Sequence, residues 1–262
     1  MVAVAQHPNI ELMTYSEVTA VNGYIGNFTV TVKKKAKYVD WAACTGCGTC
    51  EEKCPSKKIK NEFDLGLGLR SSIHKVYPQA VPGKPYIDAA NCLKFKTGKC
   101  GICEKVCPTQ AIKFDDKDEL VEVEVGAIVM ATGYDLFNWQ ETYGEYGYGL
   151  YADVISSLHF ERLVSAGGPT GGKIQRPSDG QEPKEVAFIK CVGSRDDTKG
   201  KSYCSRACCM YTAKHAYQVK DKIEDGQAYV FYMDVRTAGK NYEEFYQRAL
   251  NAGAKYIRGR VS

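Results

Sequence analysis

The stretch CTGCGTCEEKCP, residues 44–55, decides the fold of the first half of this 262-residue chain. It holds four cysteines in the spacing C-x2-C-x2-C-x3-C, followed directly by Pro55. A second stretch, CLKFKTGKCGICEKVCP at residues 92–108, repeats the pattern with a longer first gap and ends on Pro108. Two such runs in one chain indicate thiolate ligands of 4Fe-4S clusters.

The order of the cysteines predicts which cluster each of them ligates, because the fourth cysteine of such a run ligates the other cluster in two-cluster ferredoxins. The predicted ligands of the first cluster are Cys44, Cys47, Cys50 and Cys107. Those of the second are Cys54, Cys92, Cys100 and Cys103. Structural zinc is the alternative, but it usually takes two separate C-x2-4-C pairs. The spacing favours clusters.

The second run contains an insert, residues 93–99, that lengthens its first gap. The insert is polar, basic and contains glycine, which predicts a surface loop that leaves the ligand set intact. Its lysines, Lys94, Lys96 and Lys99, could offset the negative charge of a cluster or attract an acidic partner. The alternative is that they are simply solvated.

The remaining four cysteines form a third group, C-x12-C-x3-C-C, made of Cys191, Cys204, Cys208 and Cys209. Buried free cysteines would be the alternative, since cysteine is a common core residue. Residues 205–222 show a helical spacing of apolar positions, which places the adjacent pair in the first turn of a helix. A helix N-terminus stabilises thiolates and favours an anionic cluster. We therefore expect a third 4Fe-4S site.

Composition limits the cellular setting. With every cysteine assigned to a metal site no disulfide is needed, which predicts a reducing, cytoplasmic environment. The sequence has no apolar run of membrane-spanning length and no signal peptide, so we expect no membrane span. The formal charge of +4 counts cysteines as neutral; three clusters, each carrying about two negative charges, would bring it to about −2. Nothing in the pattern indicates a nucleic-acid partner.

The segments outside the ferredoxin-like region predict an α/β chain, α+β in parts. Residues 17–20, 24–32 and 120–125 read as strands of a meander, and residues 126–130 as a buried strand. The predicted domains are a meander at 1–37, an inserted two-cluster domain at 38–119, a return to the meander domain with a linker at 120–180, and a Rossmann-like half at 181–262.

The last of these regions alternates strands and helices. Residues 186–191, 228–235 and 256–261 read as strands, which predicts a doubly wound α/β unit. The turn after its first strand lacks G-x-G-x-x-G and carries the cysteine group instead. Without those glycines the turn offers no binding site for a pyrophosphate, so we expect that NAD(P) does not bind there.

The tripeptide Ala131-Thr132-Gly133, which follows the meander, resembles the flavin-proximal turn of the thioredoxin reductase class of flavoproteins. This resemblance implies a partial flavoprotein fold of that class with an inserted ferredoxin domain. It also implies that Thr132 and Gly133 contact FAD.

Together with Cys191-Val192-Gly193-Ser194-Arg195 and the segment YCSRACCMY at 203–211, these motifs resemble the A subunit of heterodisulfide reductase from methanogens and its bacterial and archaeal relatives. The resemblance implies an oxidoreductase subunit of methanogenesis, catalytic only within a complex, with three 4Fe-4S clusters and FAD in flavin-based electron bifurcation. The implied partners are other heterodisulfide-reductase subunits, a hydrogenase- or formate-dehydrogenase-type donor and ferredoxin, in a dimer of a multi-subunit complex.

The family also has an FAD-binding G-x-G-x-x-G unit and further cluster domains, which this sequence does not contain. We therefore expect an internal fragment or a split subunit. Two alternatives stay open: a polyferredoxin-like carrier that uses the scaffold without flavin, and the A subunit of a quinone-interacting or sulfur-metabolising relative. No catalytic residue is predicted, since no nucleophile and base stand out.

Overall fold

The computed structural model describes residues 1–138 and 142–261 and divides the chain into two compact units, Met1–Gly133 and Tyr134–Ser262. Residues 139–141 and 262 belong to the predicted third and fourth domains and lie outside the described residues.

The first unit contains short helices and seven strands among its described residues. The helices are α1 (Val2–Ala5), α2 (Thr49–Lys53), α3 (Leu93–Thr97) and α4 (Ile102–Lys105), with a 3-10 turn at Ala89–Asn91. The strands are β1 (Ser16–Tyr24), β2 (Asn27–Lys34), β3 (Ile59–Lys60), β4 (Leu69–Arg70), β5 (Ile73–His74), β6 (Tyr86–Ile87) and β7 (Glu119–Val125).

An antiparallel sheet of order β1-β2-β7 joins the two ends of the first unit. The register pairs Val18 with Val32 and Val30 with Val123. Strands β2 and β7 are neighbours although residues 35–118 separate them along the chain. The intervening segment therefore leaves the sheet at Lys34 and returns to it at Glu119.

The intervening segment has its own core, in which cysteines take part. Val39, Ile73, Ile87, Ala111 and Ile112 are buried and pack with four cysteines. Those four are Cys50, Cys54, Cys92 and Cys103. The small pairs β3-β4 and β5-β6 connect the two cysteine runs and bring Ile73 and Ile87 opposite each other in the register.

The second unit is a parallel α/β layer. Its helices are α5 (Ser157–Val164), α6 (Cys208–Lys222) and α7 (Tyr242–Asn251), with a 3-10 turn at Gly144–Tyr146. Its strands, β8 (Glu185–Ile189), β9 (Gln227–Tyr232) and β10 (Lys255–Arg258), are parallel in the order β10-β9-β8. Their apolar side packs on α5 and α6 through Phe160, Ala216, Val219, Ala228 and Val230.

The prediction of a buried strand at residues 126–130 is wrong. Val129 is 89% exposed and Met130 77% exposed, and neither belongs to a strand. The reason lies in the partner strand: the last residue pair is Phe28 with Val125, because β2 begins at Asn27. Beyond that pair the apolar run has no neighbouring strand among the described residues.

The insert in the second cysteine run also differs from its prediction as a loop. Residues 93–97 form helix α3, which ends at Gly98 with φ of +71°. This left-handed residue is the usual end of a helix, and glycine adopts it without steric cost. Within residues 1–138 and 142–261, none of the helices has both the length and the apolar character needed to cross a bilayer.

Candidate metal centres

The first cavity lies between the loop that precedes α2 and the segment that follows α4. It encloses about 360 Å³ of empty space, counting its open mouth. Its lining includes four cysteines, Cys44, Cys47, Cys50 and Cys107. This is the set that the spacing rule predicts for one cluster.

A glycine shapes the edge of the first cavity. Gly46 has φ of +73°, and a Cβ atom at this position would stand 2.8 Å from the carbonyl oxygen of Gly83. Any larger residue would therefore push the cysteine loop away from its neighbour. The N–H of Gly46 donates to Cys44 Sγ at 3.4 Å, and that of Ala111 donates to Cys107 Sγ at 3.3 Å. Such N–H···S bonds stabilise negative charge on sulfur.

The second cavity has nearly the same size, about 320 Å³ with its mouth included. Its lining contains the other predicted set, Cys54, Cys92, Cys100 and Cys103. The buried hydroxyl of Ser72 lies 3.2 Å from Cys54 Sγ. Sequence reasoning missed Ser72, because nothing in the motif connects it to Cys54.

The two cavities share a wall made by α2 and α4. Cys50 on α2 lines the first cavity and Cys103 on α4 lines the second, and both are buried. Their thiolates are close enough to repel each other. Burial raises the pKa of Cys50 to about 11 and that of Cys103 to about 12. As ligands they need a cationic metal to hold them as thiolates.

The cysteines of each set surround a volume and not a single point. Among residues 1–138 and 142–261, no three His, Cys, Asp or Glu side chains converge on a position for one metal ion. A cavity ringed by four thiols suits a multi-atom cluster. The residues present therefore fit two 4Fe-4S clusters.

The third cysteine group lies where β8 ends and α6 begins. Cys191 follows β8, and Cys208 and Cys209 open α6. The side-chain interaction with Cys208 lowers the pKa of Cys191 to about 7, and Cys208 in turn interacts with Cys209. The structure thus brings three of the four predicted ligands into direct contact.

Cys204 approaches this contact group from the preceding loop. The charge of Arg195 interacts with both Cys191 and Cys204, so both thiols lie near its guanidinium. The N–H of Arg206 donates to Cys204 Sγ at 3.3 Å, and that of Arg236 donates to Cys209 Sγ at 3.3 Å. Four thiols with N–H donors and a nearby cation form a setting for an anionic group.

A buried lysine, Lys190, belongs to the same group. Its side chain bonds to Cys209, and its charge also acts on Cys191 and Cys208. Its Nζ lies 3.4 Å from the carbonyl oxygen of Asp234. Sequence reasoning missed this residue, although a charged side chain at the end of an apolar strand is a recognisable signal.

The loop between β8 and α6 is conformationally strained. Cys191, Arg195 and Arg206 all have positive φ, at +60°, +60° and +61°. Each such residue costs of the order of 1 kcal/mol and persists only where the surroundings impose it. Strain of this kind, concentrated beside four cysteines, is typical of a functional loop.

Asp196 anchors that loop. Its carboxylate accepts hydrogen bonds from the hydroxyls of Thr198 and Tyr143 at 2.6 and 2.5 Å, and from Arg260 at 2.6 Å. The bonds from Thr198 and then Tyr143 hold the pKa of Asp196 far below its usual range. This residue too was not found from the sequence, because its partners come from distant parts of the chain.

The residues implied as flavin contacts lie in the exposed segment after β7. Thr132 and Gly133 are both exposed, and Gly133 has φ of +78°. They belong to the first unit and line neither of the two cysteine cavities. As described, they do not enclose a flavin.

Comparison with known proteins identifies the class. Residues 37–57 match a 4Fe-4S binding domain, and residues 84–112 match another one. These two segments contain all eight cysteines of the two cavities. The first half of the chain is therefore an iron-sulfur protein of the ferredoxin type.

Longer relatives cover nearly the whole chain. It is 50% identical over 99% of its length to the A subunit of the H(2):CoB-CoM heterodisulfide,ferredoxin reductase of Methanothermobacter marburgensis, and spans 38% of that relative. It is 51% identical to the iron-sulfur A subunit of the CoB-CoM heterodisulfide reductase of Methanocaldococcus jannaschii, over 99% of the chain and 39% of the relative.

A third relative is the A subunit of the Ferredoxin/F(420)H(2)-dependent CoB-CoM heterodisulfide reductase of Methanosarcina acetivorans. It is 44% identical over 100% of the chain and 32% of its own length. The chain is thus homologous to the A subunits of the CoB-CoM heterodisulfide reductases. It spans less than half the length of these relatives.

Proposed function

We propose that this chain is an iron-sulfur and flavin electron-transfer part of a heterodisulfide-reductase-type complex. In this proposal it relays electrons between FAD, ferredoxin and partner subunits in flavin-based electron bifurcation. The observation that carries the proposal is the pair of adjoining cavities, each lined by four cysteines, with Cys50 and Cys103 in their common wall.

The proposed ligands are those of the two cavities and of the third cysteine group. A bound 4Fe-4S cluster supplies one-electron redox chemistry. The protein supplies the thiolates, the N–H donors that stabilise charge on sulfur, and a buried environment that limits contact with water. Net charge, hydrogen bonds to sulfur and exposure are the features that set the potential of such a site.

The third centre is proposed on the contacts among Cys191, Cys208 and Cys209 and on the nearby Cys204. Lys190 and Arg195 offset negative charge there. Asp196 holds the loop that carries Cys191 and Cys204, through its bonds to Thr198, Tyr143 and Arg260. Because all these ligands must remain reduced, we place the protein in the cytoplasm.

The flavin part of the proposal rests on the resemblance of Ala131-Thr132-Gly133 to a flavin-proximal turn. In the proposal, the sheet β1-β2-β7 belongs to a domain of the thioredoxin reductase class into which the two-cluster domain is inserted. Thr132 and Gly133 are accessible to a flavin but do not enclose one.

Partner subunits are proposed from the names of the relatives. Those names state a heterodisulfide reductase and, in several cases, ferredoxin. A hydrogenase- or formate-dehydrogenase-type donor fits the relatives named for H(2) and for H(2)/formate. The alternative, a carrier without flavin, is favoured by the exposure of Thr132 and Gly133.

The experiment that tests the proposal is an iron, acid-labile sulfide and flavin analysis of anaerobically purified protein, with EPR spectra during reductive titration. About twelve iron atoms and one flavin per chain are expected. About twelve iron atoms without flavin would support the carrier alternative. About eight iron atoms would show that the third centre does not form. Iron below about four would overturn the proposal.

A further inference from the structure

The two cavities differ in the charge that surrounds them. Among the described residues lining the first cavity, none is charged. The lining of the second cavity includes Pro55, Ser56, Leu93, Lys94 and Cys100, of which Lys94 is charged. These residues belong to two chain segments, residues 53–60 and 92–101.

Both segments are rich in lysine and hold no acidic residue. Five of their lysines form what we call the lysine rim: Lys57, Lys58, Lys94, Lys96 and Lys99. Lys57, Lys58, Lys96 and Lys99 are exposed, and Lys94 is half-buried. In the part of the chain that the structure describes, none of the five pairs with a carboxylate.

Other lysines of the first unit behave differently. Lys33 pairs with Asp118 at 2.7 Å, and Lys35 pairs with Glu17 at 2.9 Å. The positive charge of the lysine rim is thus left uncompensated by neighbouring side chains. Helix α3, which the sequence predicted as a loop, fixes Lys94 and Lys96 in one short element beside Cys92.

Apolar side chains accompany the lysine rim. Leu93, Phe95 and Ile102 are each about two-fifths exposed, at 39%, 39% and 40%. An apolar patch beside charged residues is the usual composition of a transient docking surface. Charge on such a surface chiefly raises the rate of encounter with an oppositely charged partner.

We propose that the lysine rim is the docking surface for a small acidic one-electron carrier protein of the ferredoxin class. This rests on the proposed function of the second cavity as a cluster site. The carrier is oxidised and the cluster site held by Cys54, Cys92, Cys100 and Cys103 is reduced by the same electron, or the reverse. No bond forms or breaks, and no proton is required.

The positive charge of the lysine rim and its proximity to the second cavity indicate which partner docks there. Cys100 is half-buried, lines the second cavity and directly follows Lys99 in the chain, so a carrier held by the rim stands against the cluster site. A polyanion such as nucleic acid would also be attracted by lysines. A nucleic acid does not act as an electron carrier here, and competition between a DNA oligonucleotide and the ferredoxin distinguishes the two partners.

The test measures association of a bacterial-type two-cluster ferredoxin of net negative charge with the purified holoprotein, by stopped flow and by surface-immobilised binding. The variant Lys94→Glu/Lys96→Glu/Lys99→Glu is expected to lower the association rate at least tenfold at low ionic strength. The pair Lys57→Glu/Lys58→Glu should lower it several-fold. The wild-type rate should fall steeply with salt, and the variants should show a flatter dependence.

A matched control is the variant Lys173→Glu/Lys184→Glu/Lys240→Glu, which changes the net charge by the same amount as the triple rim variant. It replaces three exposed lysines of the second unit that lie outside the cysteine group. It should stay within about twofold of wild type. The neutral variant Lys94→Gln/Lys96→Gln/Lys99→Gln controls for misfolding caused by charge reversal. It should give an association rate between those of the wild type and the reversed triple variant. Unchanged binding in the reversed triple variant overturns the inference, as does an equal loss in the control.

The iron content separates this inference from the proposed function. If the wild-type protein contains its iron but does not bind the ferredoxin, the proposal of a docking surface is wrong, whereas the proposal of the cluster sites is unaffected. If the iron is missing, the proposed function itself fails. Preference for a DNA oligonucleotide over the ferredoxin at equal concentration would also overturn the proposed occupant.

Discussion

Cys50 and Cys54 belong to the same run of sequence and line different cavities. Cys50 sits on α2 and faces the first cavity, whereas Cys54, the residue that ends α2 in an extended conformation, faces the second. Short helix α2 therefore contributes cysteines to both cavities, and each cavity takes cysteines from both runs.

This crossing of ligands predicts unequal effects of paired substitutions. Cys54→Ser and Cys92→Ser should each remove one cluster, about four iron atoms, and their combination should remove no more. Cys50→Ser with Cys54→Ser should remove about eight, although these residues are sequence neighbours. Iron analysis with EPR of the remaining signal measures this. A loss of only four iron atoms in the Cys50/Cys54 pair would contradict the arrangement.

A buried ion pair between the two runs predicts a stability effect. The Arg70 side chain is 6% exposed and bonds to Asp88 at 2.9 Å and to Glu62. Replacing Arg70 by Met leaves the Asp88 carboxylate without its cationic partner, with Asn91 still donating to it, and should cost about 3 kcal/mol of unfolding free energy. Because Glu62 is 69% exposed, Glu62→Gln is the control and should cost about 1 kcal/mol or less. Denaturant titration of the holoprotein measures both, and equal costs would be against this reasoning.

His74 predicts a dependence of stability on pH. It is 3% exposed, and burial lowers its pKa to about 4, with the charge of Arg70 acting in the same direction. The unfolded state, with a pKa near 6.5, binds the proton more readily, so stability is full above pH 6.5 and falls as pH drops toward 4. The total loss should be about 3 kcal/mol.

The variant His74→Phe checks this, since it keeps an aromatic ring against Tyr86. The difference in unfolding free energy between wild type and variant should change between pH 6.5 and 4 and be constant above pH 7. A difference that does not vary with pH would show that His74 does not titrate on unfolding.

The anchoring of the strained loop predicts selective loss of the third centre. Asp196→Ala removes the acceptor for Thr198, Tyr143 and Arg260, and the loop that carries Cys191 and Cys204 should become mobile. We expect about four iron atoms fewer per chain, with the signals of the first two clusters retained. Tyr143→Phe removes one of the three side-chain donors to Asp196 and should have a smaller effect. Full iron in Asp196→Ala would show that the loop holds without it.

Lys190 predicts a change in reduction potential. Its buried ammonium stabilises added negative charge at the third cysteine group, so Lys190→Met should make that centre harder to reduce. A tenfold change in the equilibrium constant corresponds to about 59 mV for one electron, and we expect at least this shift to more negative potential. Lys199→Met, which removes an exposed lysine paired with Glu145, should shift it little. EPR-monitored titration gives both values, and equal potentials would exclude a role for Lys190.

The sequence alone determined which residues are candidate ligands. Cysteine spacing is a local, covalent property, and it predicted both cavity sets, including the exchange of Cys54 and Cys107. The 4Fe-4S binding segments and the resemblance to the heterodisulfide reductase family are confirmed by the comparisons. The parallel strands β8, β9 and β10 were likewise visible as apolar runs, although β8 and β10 hold no buried residue and β9 alternates buried with half-buried positions over its first four residues.

Only the tertiary structure decided the rest. The exposure of Val129 and Met130 depends on where β2 begins. Residues 93–97 fold as α3, whose Phe95 ring contacts Tyr38 and Phe114. Lys190, Ser72 and Asp196 act through Cys209, Cys54 and Arg260, which are distant from them in sequence. Spacing fixes which thiols can share a cluster. Long-range packing decides which charges and hydrogen bonds surround it, and no local pattern encodes those contacts.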